Sequence, residues 1–111
     1  MKVSKKQHRN IFRKFLKGTT KLRKKIFLKA PDDFIKFVGR CCKASLNNQL
    51  EISEEAQQEI EIHKDKVAFL SNNAVPILKK RTFLVKQSGG FLALILPAIF
   101  SAVLSFIGNS F

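Results

Sequence analysis

Residue types that usually carry chemistry are scarce in this sequence. It contains no tryptophan, no tyrosine, two histidines and two cysteines, which stand side by side at Cys41 and Cys42. Adjacent cysteines rarely bond to each other, so we expect both thiols in an apolar core and the protein in a reducing compartment. His8 and His63 lie on separate segments, without further ligands at metal spacing. The sequence therefore predicts no metal site and no cofactor.

Side-chain groups that cooperate in catalysis are also missing. We find no nucleophile beside a base, no glycine-rich phosphate loop and no paired carboxylates in an apolar setting. The sequence therefore predicts a protein that is not an enzyme, with no catalytic residues. A secretory signal is not expected either, because no apolar run follows the first lysines.

Charge of each sign is confined to particular stretches of the chain. The net charge is +13, from 21 basic and 8 acidic residues among 111. Residues 1–30 contain no acid, residues 51–70 contain most of the acids, and residues 91–111 carry no charge. A basic excess of this size favours polyanionic partners such as nucleic acid or acidic lipid. Two explanations of the acidic stretch stay open: it neutralises the basic one within the molecule, or it acts between molecules.

The basic arm, residues 1–30, predicts one helix or two. Apolar residues recur near one face from about residue 7 to 28, and Gly18-Thr19-Thr20 weakens the middle. Like charges would keep this arm largely unfolded alone in water, whereas DNA phosphates or an anionic membrane would screen them. The alternative is a solvated extension. The predicted polyanion contacts are Lys2, Lys5, Lys6, Arg9, Arg13, Lys14, Lys17, Lys21, Arg23, Lys24, Lys25, Lys29, Lys79, Lys80 and Arg81.

Residues 31–70 predict a helical hairpin, and the expected fold class is all-α. Pro31-Asp32-Asp33 is typical of a helix start, Asn47-Asn48 of a helix end, and Ser53 of the cap of one further helix. About forty residues bury little core, so this pair would need the arm, a second copy or the C-terminal segment as support. Residues 71–90 are expected to be a basic linker ending in Gly-Gly.

The segment 91–111 is a hydrophobic tail. As a helix, residues 91–108 would extend roughly 27 Å, close to the ~30 Å hydrocarbon core of a bilayer. We predict membrane contact rather than a buried core helix, because so small a chain offers little to bury it. The lipid contacts would be Phe91, Leu92, Leu94, Ile95, Leu96, Ile99, Phe100, Val103, Leu104, Phe106 and Ile107. Small residues would permit self-association: Ala98, Ser101, Ala102 and Ser105.

The stretch "GGFLALILPAIFSAVLSFIG" resembles the hydrophobic end of the adenovirus core protein X precursor. There, a very basic DNA-condensing segment leads into a Gly-Gly-Phe-Leu apolar tail. A looser resemblance extends from about Asp32 through "LKKRTFLVKQSGGFL" to small proteins of Polinton/Maverick elements and adintoviruses. In these, an acid-free basic run and a short helical region precede the same tail.

The resemblance implies a virion core protein that binds double-stranded DNA non-specifically, in the virion core and the host nucleus. It also implies cleavage by a viral cysteine protease after Gly90, in the sequence Gly89-Gly90-Phe91, which would release a membrane-active peptide. The chain departs from the adenoviral pattern at Gln87, four residues before the cut, where that protease favours Met, Ile or Leu. Cleavage here would therefore need a protease with a different residue preference at that position.

A host tail-anchored membrane protein is the alternative from another functional class. Its tail would be inserted after synthesis, and the basic and helical parts would face the cytosol. Four cations flank the tail on one side only, which agrees with the positive-inside rule: Lys79, Lys80, Arg81 and Lys86. The two hypotheses share the tail and differ in the role of the basic arm.

Overall fold

The computed structural model describes residues 5–87 and 92–107, with side chains described for residues 10–87 and 95–103. All regular structure in these ranges is helical, so the predicted all-α class is confirmed. The helices are α1 Lys5–Lys17, α2 Thr20–Lys29, α3 Asp32–Leu46, α4 Glu54–Ile62, α5 Lys64–Ser71, α6 Ile77–Lys86 and α7 Leu92–Ile107.

The basic arm forms two helices that meet at Gly18 and Thr19. The Thr19 hydroxyl oxygen accepts a hydrogen bond from the Leu22 backbone N–H at 3.3 Å, which caps α2. Across the junction, the Arg23 Nε donates to the Phe15 carbonyl oxygen at 2.9 Å. The break that the Gly-Thr-Thr sequence predicted is therefore confirmed, and a cap and a side-chain bond hold the two helices around it.

The expected start and end of α3 are also confirmed. The helix begins after Pro31, with Asp32 and Asp33 in its first turn, where carboxylates favour the positive end of the helix dipole. It ends before Asn47, and Asn48 has a φ of 58°. Asparagine tolerates this left-handed conformation better than most residues, which makes it a suitable stop.

The prediction of one further helix after Ser53 is wrong, because the chain breaks at His63 into α4 and α5. Ser53 caps α4 as expected, its hydroxyl oxygen accepting from the Ala56 N–H at 3.2 Å. His63 then ends α4 and precedes α5, with φ −106° and ψ 28°. The break allows α5 to pack against α3 while α4 packs against α7.

Residues 71–90, expected as a linker, contain the ten-residue helix α6. It begins after Pro76, packs against α2 and α3, and buries Leu84 completely. Lys80 also lies on its inner side, since a lysine stem is apolar enough to cover hydrophobic surface. The cations of this stretch therefore belong to a helix that packs against the core and not to a linker.

The large apolar side chains described for α7 pack into the core. Five predicted lipid contacts are at most 1% exposed: Ile95, Leu96, Ile99, Phe100 and Val103. The expectation that so small a chain offers little to bury this segment is wrong, because α1, α3 and α4 all pack against it. The described helices include none that is long and apolar enough to cross a membrane.

The two faces of α7 differ in side-chain size. Among the side chains described for residues 95–103, the large ones face the core, whereas Pro97, Ala98 and Ala102 are partly exposed and Ser101 is exposed. Most of the predicted self-association stripe is therefore on the outer face. The other tail residues named above lie outside the described residues or side chains: Phe91, Leu92, Leu94, Leu104, Ser105, Phe106 and Ile107.

Phenylalanines join the arm, α3 and α7. The Phe100 ring stacks on Phe12 with ring centroids 4.0 Å apart, and it meets Phe15 edge-on at 5.1 Å. Phe34 of α3 lies 5.5 Å from Phe12 and 6.5 Å from Phe100, centroid to centroid. Aromatic pairs at such separations add about 0.5–1.5 kcal/mol beyond the area they bury. The arm's apolar face is thus part of the core.

Gly39 marks the closest approach of α3 to α5. A Cβ at this position would lie 2.7 Å from the Leu70 carbonyl oxygen and 3.4 Å from the Lys80 Nζ. The carbonyl is backbone, so it cannot turn aside as a side chain would. Only glycine allows the two helices to approach this closely.

We expect Gly39→Ala to lower the free energy of unfolding by about 1–3 kcal/mol, the usual cost of forcing extra volume into a packed core. This exceeds the roughly 0.5–1 kcal/mol that alanine contributes within a helix. The denaturant midpoint of the full chain measures this loss of stability. Gly18→Ala is the comparison, because its nearest contact is the end of the exposed Leu22 side chain and its nearest backbone contact, the Lys14 carbonyl oxygen, would be at 3.1 Å. Equal or higher stability of Gly39→Ala would contradict the packing described.

Candidate polyanion-binding surface

The arm presents most of its described cations to solvent. The exposed side chains among the predicted contacts are Arg13, Lys14, Lys17, Lys21, Lys24, Lys25, Lys29 and Lys79. Lys2 lies outside the described residues. Lys5, Lys6 and Arg9 belong to α1, but their side chains lie outside the described set. These exposed cations form the candidate polyanion surface.

Packing of α6 against α2 brings two basic stretches of the sequence together. The Arg81 Nη1 donates to the Phe27 carbonyl oxygen of α2 at 2.7 Å, across 54 positions of sequence. Its Nη2 donates to the Asp32 carboxylate at 2.8 Å. Arg81 therefore ties the end of α2 to the start of α3, and α6 extends the basic arm laterally.

Three predicted contacts have internal roles. Arg81 makes the bonds just described, and it is only partly exposed. The Arg23 guanidinium bonds to the Phe15 carbonyl and lies 4.5 Å from the Phe15 ring centroid, as a cation–π contact. Lys80 is 4% exposed. Sequence spacing could not separate these three from the solvent-facing cations, because their partners are distant in sequence or belong to the backbone.

Lys80 of α6 interacts with Cys42 of α3, whose neighbour Cys41 is also buried. Burial lowers the pKa of the Lys80 ammonium, an effect that Cys42 opposes. Burial raises the pKa of the Cys42 thiol to about 12, and burial with the neighbouring Cys42 raises the pKa of Cys41 well above its usual value. Both cysteines are free and buried, so the core assignment is confirmed. Protonated buried thiols are poor nucleophiles and poor metal ligands.

The acids occupy a different part of the molecule from the arm. Most of them lie on α4 and at the start of α5, which pack against α7 and α3. In the described part of the chain, the acids form ion pairs at His63–Glu59, 3.9 Å, and Arg81–Asp32, 2.8 Å. Neither pair joins residues 51–65 to the arm. The described structure therefore provides no direct neutralisation of the arm by the acidic stretch.

One set of exposed cations lies outside the sequence-based prediction. Lys36, Arg40 and Lys43 are exposed on α3 at four- and three-residue steps, the spacing of one helix face. The sequence already indicated that these three cations share one helix face, through their four- and three-residue spacing. Unlike the arm, however, α3 has two acids in its first turn, Asp32 and Asp33. This row provides a natural comparison for the arm.

The sequence predicts a protease cleavage site and no metal site. The predicted cleavage residues Gly89, Gly90 and Phe91 fall outside the described ranges. Among the described residues, no group of three or more His, Cys, Asp and Glu side chains could hold a metal ion.

Comparison with protein-family models, with curated proteins and with solved structures finds no significant match to this chain. A function must therefore be argued from the charge, burial and packing of its own residues.

Proposed function

We propose that this protein is a non-enzymatic core protein of viral or transposon origin that binds and condenses double-stranded DNA. The observation that carries the proposal is the acid-free basic arm, folded so that its apolar face is buried and its cations face solvent. Each lysine or arginine that meets a phosphate releases a condensed counterion, which drives binding. Phosphate contacts carry no base information, so binding would be independent of sequence.

The folded arm would bind with less ordering cost than a disordered extension. Lys17, Lys21 and Lys25 are exposed around the junction of two helices whose apolar faces are fixed in the core. Their backbone is already ordered, so fewer degrees of freedom are lost on contact with DNA. Their mutual repulsion, unfavourable in the free protein, is relieved when phosphates lie between them.

The tail has a second role in the proposal. Contact with membrane lipid, and release by a protease after Gly90, both require α7 to leave the core, since Leu96 and Phe100 are fully buried in it. The proposed setting is the virion core and the host nucleus, with a viral cysteine protease as partner. Self-association through Ala98, Ser101 and Ala102 would use the outer face of α7 without disturbing the core.

The salt dependence of binding to a short labelled DNA duplex tests this proposal. We expect the logarithm of affinity to fall linearly with the logarithm of salt concentration, with a slope between roughly −6 and −10, since each phosphate contact contributes about −0.9. Two duplexes of unrelated sequence should bind within about threefold of each other. A slope shallower than about −3 would rule out an interface built from the arm's cations.

A further inference from the structure

An apolar groove lies on the side of α6 that adjoins α5. Its volume is about 390 Å³, and it is lined by Phe69, Leu78, Lys79, Thr82, Phe83 and Lys86. The Phe69 and Phe83 rings lie 5.0 Å apart, centroid to centroid. The Thr82 hydroxyl donates to the Leu78 carbonyl oxygen at 2.9 Å, so its polar group is satisfied within the helix. The walls therefore offer mainly hydrocarbon and aromatic surface.

Leu78 is 73% exposed in this groove, directly before Lys79. Lys79 and Lys86 are also exposed and lie seven residues apart, about 10 Å along the helix. None of the six lining residues is acidic. The groove thus pairs an apolar interior with two cations, which matches an apolar chain that carries an anionic head.

A second exposed leucine lies on α2, which also packs against α6. Leu28 of α2 is 61% exposed, and its carbonyl oxygen accepts a hydrogen bond from Arg81 of α6 at 3.4 Å, so the two helices adjoin there. Lys25 and Lys29 are exposed on α2 around it. Protruding leucines among lysines are the pattern by which helices lie on an anionic bilayer, with the leucines in the acyl region and the lysines at the headgroups.

We propose that the α5–α6 groove and the adjoining end of α2 bind an anionic phospholipid bilayer, with an acyl chain against Phe69 and Phe83. The groove volume is at the low end of the range for small-molecule pockets, enough for an acyl chain. Lys79 and Lys86 would contact the phosphate or carboxylate of the headgroups. This surface leaves α7 in the core, so membrane contact would not require the tail to insert.

Binding of the full chain to phosphatidylserine-containing vesicles, measured by co-sedimentation, tests the proposal. Leu78→Ser should weaken binding about tenfold, the usual cost of one leucine that no longer enters apolar surroundings. Lys79→Gln with Lys86→Gln should weaken it by about tenfold or more. Pure phosphatidylcholine vesicles should bind the unaltered chain far more weakly. Leu78 is exposed, so its replacement should leave the thermal midpoint unchanged.

The matched control is Ile62→Ser on the acidic helix α4, where Ile62 is 71% exposed. It should change vesicle binding less than about twofold, because it lies away from the groove. Equal losses for Ile62→Ser and Leu78→Ser, or no loss for either, would overturn the proposal. Leu78→Ser should keep full DNA affinity, so failure of the lipid site and failure of the proposed DNA binding are separate results.

Discussion

A chain that ends at Gly90 is expected to lose the fold described above. The missing helix supplies Ile95, Leu96, Ile99, Phe100 and Val103, all nearly or fully buried. Burial of five such side chains contributes roughly 7–15 kcal/mol as an upper figure. Typical domain stability is about 5–15 kcal/mol, so the loss is comparable to the whole. The truncated chain should show no cooperative thermal transition, and its amide NMR spectrum should collapse into the narrow range of an unfolded chain.

Two neighbouring positions on α7 show whether its burial, rather than its mere presence, is responsible. Phe100→Ala removes the ring that contacts Phe12 and Phe15, and it should cost about 3–5 kcal/mol. Ser101→Ala, on the exposed face, should change stability by less than about 0.5 kcal/mol. A truncated chain with a dispersed spectrum, or equal effects at the two positions, would show that α7 is not part of the core.

This prediction bears on both hypotheses for the tail. Five of the eleven side chains predicted to enter a membrane are buried in the core, so insertion of these five would remove them from the folded state. Release of the tail after Gly90 would likewise uncover Phe12 and Phe15, which Phe100 contacts. Either event would convert a folded protein into one with an exposed aromatic surface beside its cations.

The helix ends were predictable from the sequence because their causes are local. Ser53 caps α4 through a hydrogen bond to a residue three positions later. Asn48 adopts a left-handed conformation, which depends on its own residue type. Gly18 and Thr19 divide the arm in the same local manner. Such features need no knowledge of the rest of the chain, so the sequence suffices to place them.

The burial of the tail was not predictable, because the helices that cover α7 are far away in sequence. The total hydrophobicity of α7 does not indicate which of its faces is buried. In the structure, the large residue Phe100 lies on the buried face and the small residue Ala98 on the partly exposed face. The arm was expected to be largely unfolded alone in water for a related reason. Its cations dominate the composition, although Phe12 and Phe15 decide where its inner face packs.

The sequence predicts that the candidate surface is basic. It does not predict which individual cations belong to that surface. The acid-free arm is evident in the sequence, and most of its described cations are exposed. Arg81 was assigned to phosphate binding because it belongs to a run of cations. Its bonds to the Phe27 carbonyl and the Asp32 carboxylate depend on how α6 packs, which no local pattern reveals.

Neutralising part of the arm is expected to reduce DNA affinity by about a thousandfold at ~0.15 M salt. The variant replaces Lys17, Lys21, Lys24 and Lys25 with glutamine; all four lysines are exposed. Each lost phosphate contact should lower affinity about fivefold and reduce the steepness of the salt dependence by about one unit. Glutamine matches lysine in helix propensity, so the arm should stay folded. Fluorescence anisotropy with a labelled duplex measures both quantities.

The matched control removes the same charge elsewhere, by glutamine at Lys36, Lys43, Lys64 and Lys86, which are also exposed. If DNA binds to the arm in particular, this control should lose less than about tenfold in DNA affinity, because its four cations do not belong to the acid-free arm. Equal losses in the two variants would mean that DNA responds to the net charge of +13 alone, and the arm would then have no special role. A thousandfold loss confined to the first variant would locate binding on α1 and α2. Phe100 contacts Phe12 and Phe15 of α1, so DNA affinity and the packing of α7 would then both depend on α1.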